Sequence, residues 1–230
     1  MPVFLLNEHN VAFPDPSFAE ESGLLAVGGD LSVNRLLQAY RSGIFPWYNP
    51  GEEILWWSLD PRFVLFPNEL KVSKSMRPYL NQGKFNVTFD TQFRQVMVNC
   101  RDHYRKRQYG SWINDEMVEA YTRLHEMGYA HSVEVWNEEK LVGGLYGLSM
   151  GKIFFGESMF SFESNASKFG FTILVKKLEA RGFTLIDCQQ ETAHLGSLGA
   201  RAIPREDFLK KLRANAREQD FLGNWGQLLD

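Results

Sequence analysis

The sequence predicts an α+β fold in two unequal parts, residues 1–60 and 61–230. Up to Asp60-Pro61-Arg62 the chain is dense in turns and rings, with Gly23, Gly28, Gly29, Gly43 and Pro50-Gly51 punctuating short apolar runs. Beyond that point, segments of helical spacing alternate with segments of period two, so helices and strands share one layered core. Hydrophobic residues make up 44% of the 230, ordinary for a packed protein, so both parts are expected to be globular. Residues 1–60 are too few to close a large core of their own and should pack against the rest.

In chain order, Ser32 is a good N-cap for a helix that sets Val33, Leu36, Leu37 and Tyr40 at helical spacing, and Gly43 should stop it. Gly43-Ile-Phe-Pro-Trp47-Tyr is a ring-rich turn, and residues 54–58 read as a short strand. Residues 62–70 give a strand with a turn at Pro67-Asn68, then a short helix over 73–79 and a strand over 85–89. Asp90 or Thr91 should cap a helix with Phe93, Val96, Met97 and Cys100 on one face. Asn114 should cap another, with Met117, Tyr121 and Leu124 inward and Gly128 at its end. Residues 131–136 and 141–150 form a hairpin, and Gly143-Gly144 inside it predicts a bulge or a close backbone approach. Residues 153–159, Ile-Phe-Phe-Gly-Glu-Ser-Met, form the next strand. Ser164 or Asn165 opens a helix carrying Phe169, Ile173, Leu174 and Leu178 that ends at Gly182, and residues 183–187 are a strand. A tight Gly-rich turn is expected over 195–200, Pro204 opens the last helix, and residues 220–230 receive no assignment.

The chemistry is narrowed by what the chain lacks. His125-Glu126 is followed by Met127-Gly128, so no HExxH pair exists and no metal is expected. There is no GxSxG elbow, and neither Cys100 nor Cys188 sits in an activating motif. P-loop and GxGxxG patterns are missing, so no nucleotide cofactor is expected. No run of about 18 apolar residues suggests a membrane span, the N-terminus does not read as a signal peptide, and two separated cysteines fit a reduced, cytoplasmic setting. What remains is two adjacent strand ends that carry Glu157, Asp187 and Gln189 out of apolar surroundings. A carboxylate beside an amide can orient it and receive positive charge from an attacking amine, which suits a substrate that is already activated. The plainer alternative is that Asp187 and Gln189 stitch loops together. Basic segments at 71–84 and 101–107 read as solvated faces or as phosphate contacts, the second being mixed with Tyr and His. Trp47 and Trp112, placed in turns, are candidates for a ligand platform.

With these pieces in view, the sequence resembles the bacterial leucyl/phenylalanyl-tRNA–protein transferases. The matching stretches are Gly-Leu-Leu-Ala-Val-Gly-Gly-Asp-Leu at 23–31, Gly-Ile-Phe-Pro-Trp at 43–47, Leu-Trp-Trp-Ser at 55–58, Trp112-Ile113, Ala-His-Ser-Val-Glu at 130–134, Val-Gly-Gly-Leu-Tyr-Gly at 142–147, Phe-Gly-Glu-Ser-Met-Phe-Ser at 155–161, Asn-Ala-Ser-Lys at 165–168 and Leu-Ile-Asp-Cys-Gln at 185–189. The resemblance implies a small N-terminal domain and a catalytic domain like the GNAT-type N-acetyltransferases. It implies transfer of Leu or Phe, less well Met, from aminoacyl-tRNA to the α-amine of proteins beginning with Arg or Lys, marking them for N-end-rule degradation. It also implies catalytic roles for Asp187, as the acid bonded to the amide, for Gln189, which draws a proton from the amine, and for Glu157, near the aminoacyl amino group. Trp47, Trp112 and Tyr121 would hold the 3′ adenosine. Leu145, Phe154, Met159, Phe171, Leu174, Leu178 and Ile186, beside Gly156 and Ser158, would form the side-chain pocket. Lys74, Arg77, Lys84, Arg105, Lys106 and Arg107 would contact tRNA, and a monomer without cofactor or membrane contact is expected. The competing expectations are an acetyl-CoA-dependent acetyltransferase, disfavoured because Ser161-Phe-Glu-Ser-Asn-Ala-Ser-Lys168 lacks glycine, and a non-catalytic binding module.

Overall fold

In the computed structural model, which describes residues 3–103 and 111–229, two β-sheets share one apolar core. The first part of the chain contributes β1 (Phe4–Leu6), β2 (Leu24–Gly28), α1 (Val33–Arg41), β3 (Phe45–Pro46) and β4 (Leu55–Trp57), with strands ordered β1-β2-β4-β3. The remainder runs β5 (Arg62–Leu65), α2 (Arg77–Asn81), β6 (Asn86–Phe89), α3 (Phe93–Asp102), α4 (Asp115–Glu126), β7 (Ala130–Asn137), β8 (Lys140–Met150), β9 (Ile153–Ser161), α5 (Ala166–Ala180), β10 (Leu185–Gln189), α6 (Ala193–Ser197), β11 (Arg201–Ile203), α7 (Arg205–Asn215) and α8 (Trp225–Leu228). Its strands form one sheet in the order β11-β5-β10-β9-β8-β7-β6. Every pair there is antiparallel except β9 and β10, which are parallel and joined by the crossover helix α5. The fold is thus α+β with two mixed sheets.

Strand alternation decides the layering. Tyr146, Phe155 and Leu185 face a core shared with α1, α3, α4 and the first sheet's Leu25 and Trp56. Leu145, Phe154 and Ile186 face the other side, where Phe171, Leu174, Val175 and Leu178 of α5 cover them. The expected packing of residues 1–60 on the rest takes the form of this common core.

Local signals place several elements. The Ser32 side chain accepts the Arg35 N–H, and Asn114 accepts that of Met117 at 2.8 Å, as expected for caps. The Gly143-Gly144 stretch combines both expected features. The β7–β8 register skips Val142, and a Cβ on Gly143 would lie 2.7 Å from the Ala166 Cβ. Three expectations need correction, and the unassigned tail gains a structure. The helix expected over 73–79 is α2, because the Pro78 ring fits a first turn and would clash with the carbonyl one turn back. Neither Asp90 nor Thr91 caps α3. Asp90 turns to a left-handed φ of 58° and binds His131, and the buried Glu134 carboxylate accepts the Thr91 and Gln92 N–H groups at 3.4 and 3.3 Å. The turn over 195–200 begins instead as α6, capped by Thr192. The tail is ordered around Trp225, fully buried, whose indole stacks on His131 at 3.7 Å. No helix among the described residues is long and apolar enough to cross a membrane.

Candidate active site

Strands β9 and β10 pair through Ile153–Leu185, Phe154–Ile186 and Phe155–Asp187 and then part. Just past that point each strand carries one extra residue against its antiparallel neighbour. Tyr146 opposes Ser158 and Gly147 opposes Gly156, so Glu157 is unopposed. On β10, Asp187 opposes Val64 and Gln189 opposes Phe63, leaving Cys188 as the extra residue and Gln189 at a φ of 59°. A bulge re-aims the side chains beside it. Here the two bulges turn Glu157 and Gln189 toward each other, and Gln189 Nε2 donates to Glu157 Oε1 at 2.7 Å. Gly147 makes the first bulge feasible, since a Cβ there would stand 2.2 Å from the Phe155 carbonyl oxygen.

Two tyrosines hold Glu157 from behind. The Tyr40 hydroxyl donates to Oε1 at 2.7 Å, and the Tyr121 hydroxyl reaches Oε2 at 3.5 Å. Their own hydroxyls lie 2.5 Å apart. Burial pushes the Glu157 carboxyl up to about 7, and the Asp187 charge adds to the rise; the Tyr40 and Gln189 hydrogen bonds oppose it. Burial, followed by the Glu157 charge, raises both phenols well above their usual range, so they remain donors.

Asp187 is fully buried and does not reach the Gln189 carboxamide as expected. Its carboxylate is gripped by both arms of Arg62, Nε to Oδ1 at 2.8 Å and Nη2 to Oδ2 at 2.7 Å. Oδ1 also accepts the Gln189 backbone N–H at 3.0 Å. The reason is the bulge at Cys188, which sends the two side chains apart and leaves only the main chain of Gln189 within reach. Asp187 therefore bonds the Gln189 main chain and does not face the cleft. Arg62 in turn lies over the Phe45 and Phe208 rings at 4.8 and 4.6 Å.

The parted strands open a cleft of about 510 Å³. Eleven of the expected site residues line it: Trp47, Trp112, Leu145, Phe154, Gly156, Glu157, Ser158, Met159, Phe171, Ile186 and Gln189. Tyr121, Leu174 and Leu178 do not line it, a correction to their expected direct contact. Tyr121 acts behind Glu157, and the two leucines point into the α5 core because helical spacing sets them one and two turns beyond Phe171. Cys188 also lines the cleft, but burial pushes its thiol up, so no thiolate is poised there. Of the expected tRNA contacts, Lys74 and Arg77 are exposed and Lys84 pairs with Glu163 at 3.0 Å. Arg105, Lys106 and Arg107 lie outside the described residues.

Tyr40 and Arg62 were missed as site residues. Tyr40 reads as one more apolar position of α1, and Arg62 as the polar start of a strand. The available signals were that a buried phenol needs a partner and a buried guanidinium needs an acid.

Residues 64–213 match the protein family described as leucyl/phenylalanyl-tRNA protein transferase, and residues 29–60 match the N-terminal domain of the same family. Proteins named leucyl/phenylalanyl-tRNA–protein transferase are similar over nearly their full length. The one from Syntrophus aciditrophicus is 58% identical over 94% of this chain and 90% of its own. That from Cellvibrio japonicus is 53% identical over 97% and 96%, and that from Christiangramia forsetii 59% over 87% and 95%. Among solved structures, that of L-PGS from Bacillus licheniformis overlays with a TM-score of 0.41 at 10% identity, covering 74% of this chain and 54% of that one, which is too distant to assign the fold. Since identity above one half extends across both sheets and the cleft between β9 and β10, the chain belongs to the leucyl/phenylalanyl-tRNA protein transferase family.

Proposed function

We propose that the protein transfers Leu or Phe, and less well Met, from aminoacyl-tRNA to the α-amine of proteins that begin with Arg or Lys, and so marks them for N-end-rule degradation. The observation that carries this is a carboxyl held near neutrality beside a carboxamide, both facing an apolar cleft. Leu145, Phe154, Met159, Phe171 and Ile186 offer the aminoacyl side chain a lining without charge. Discrimination among large apolar groups by such a lining is worth only about 1–3 kcal/mol, so tolerance of Met is expected. Trp47 and Trp112 are assigned to the 3′ adenosine, and Lys74, Arg77, Lys84 and Arg105–Arg107 to tRNA phosphates.

In the reaction the α-amine nitrogen attacks the ester carbonyl carbon. The C–N bond forms, the bond from that carbon to the ribose oxygen breaks, the amine loses a proton and the ribose oxygen gains one. With Nε2 committed to Glu157, Gln189 keeps its Oε1 to accept an N–H of the incoming amine. Ionised Glu157 then takes the proton and returns it to the leaving oxygen. The ester is already activated, so no ATP or other cofactor is called for. Residues 1–60 and 61–230 are taken as a small N-terminal domain and a GNAT-like catalytic domain, a view supported by the parted parallel pair and its crossover helix. A monomer acting in the cytoplasm is part of the same proposal.

The test is an assay with Leu-, Phe-, Met- and Ile-charged tRNA against Arg- and Lys-initiated peptides. Transfer of Leu and Phe, weaker transfer of Met, and little of Ile are expected. Gln189→Ala should lower kcat by about 100-fold, the loss expected when an attacking group is no longer held in place, and leave tRNA binding intact. Absence of transfer by the unaltered protein, or full activity of Gln189→Ala, would overturn the proposal.

A further inference from the structure

Phe162 follows β9 directly and is 56% exposed, far more than a phenylalanine held in a packed wall. It is not on a loose segment. Its backbone N–H bonds the Val142 carbonyl at 2.8 Å, and on either side of it Ser161 Oγ donates to the Glu163 carbonyl at 2.7 Å. Its ring leans on Phe160 at 4.9 Å and meets His103 edge-on at 5.5 Å. Phe160 and His103 both line the cleft, so Phe162 continues the cleft wall outward as an aromatic surface. The carboxylate of the next residue, Glu163, is paired with Lys84 at 3.0 Å. A fixed and open ring, continuous with the wall of the cleft proposed to hold the RNA end, has the chemistry of a stacking platform for an unpaired base.

We propose that Phe162, backed by Phe160 and His103, stacks the base of the nucleotide that precedes the terminal adenosine of the donor RNA. The proposal rests on the transfer reading above and adds a second nucleotide to it. Phenylalanine offers a π-face and no hydrogen-bonding group, so the platform grips any base without reading its identity. The platform therefore raises affinity for an RNA-borne aminoacyl ester over an aminoacyl nucleoside.

The test compares Phe162→Ala and Phe162→Tyr with the unaltered protein on two donors, Leu esterified to adenosine alone and Leu esterified to a CCA trinucleotide. Phe162→Ala should raise KM for the trinucleotide about tenfold, a typical loss for one aromatic–base stack. It should leave kcat, and KM for the single-nucleoside donor, unchanged, and Phe162→Tyr should behave like the unaltered protein. Replacing the middle cytidine by uridine should leave the effect in place. An equal change with both donors would make Phe162 a support of the cleft instead. No change with either, or a rise only in the KM of the acceptor peptide, would also overturn the proposal. Failure of the unaltered protein to transfer Leu even from full-length charged tRNA would refute the transfer reading itself.

Discussion

Glu157 keeps its proton to about pH 7 because its surroundings solvate the charged form poorly, even with Tyr40 and Gln189 donating to it. The proposed transfer mechanism needs the ionised form, so kcat/KM should rise between about pH 6 and 8. The acceptor α-amine, with an ordinary pKa of about 7.7–8.0, adds a second rise. In Glu157→Gln, measured pH–rate profiles should lose the lower limb and keep the upper one. Stability runs the other way. The folded carboxyl holds a proton that the unfolded chain releases near 4.5, so its favourable contribution is complete below that value and is lost as pH climbs through about 7. Melting curves at pH 5 and pH 8 should therefore show Glu157→Gln gaining on the unaltered protein at the higher pH. Glu157 and Gln189 were legible as candidates because polar groups at the ends of apolar strands are conspicuous. Tyr40 was not, since its hydroxyl finds its partners 81 and 117 residues away.

At the scale of elements, the site exists because two strands each lose register at one position. Helices α1 and α4 and the β7–β8 hairpin were legible because their caps, turns and periodicities lie within a few residues. The bulges at Glu157 and Cys188 were not, because register is a property of pairs of strands. The same holds for the entry to α3, where Glu134 from β7, 42 residues on, accepts the N–H of Gln92 just before the helix begins. Gly147 tests the role of the first bulge. Gly147→Ala would drive a Cβ into the Phe155 carbonyl, a backbone atom with no rotamer to escape into. Overpacking of this kind costs about 1–3 kcal/mol or more, and relief requires β8 and β9 to shift against each other. The variant should melt lower and lose transfer, while Gly182→Ala, whose Cβ would meet nothing within 4 Å, loses stability only through its left-handed φ and keeps kcat. Equal loss of kcat in both would detach the bulge from catalysis.

At the scale of the whole molecule, Arg62 joins what the chain order separates. Its guanidinium touches the Gly43 carbonyl at 3.3 Å and the Phe45 ring from the first sheet's part, the Phe208 ring of α7, and Asp187 behind the site. Trp47, two residues after Phe45, and Gln189, two residues after Asp187, line the same cleft, so this cation sets the distance between its two walls. Arg62→Met should leave a buried carboxylate unpaired, at a cost of about 3–5 kcal/mol, and lower the melting temperature by about 10 °C. Adding Asp187→Asn removes the stranded charge while keeping an acceptor for the Gln189 N–H. The double variant should recover most of the lost melting temperature, because replacing a buried ion pair by neutral groups costs little. Its kcat should stay low, because nothing then ties the turn at Gly43 to the end of β10. Recovery of both quantities would reduce Arg62 to a charge partner, whereas recovery of stability alone would show that the Gln189 carboxamide is held in register from the opposite wall.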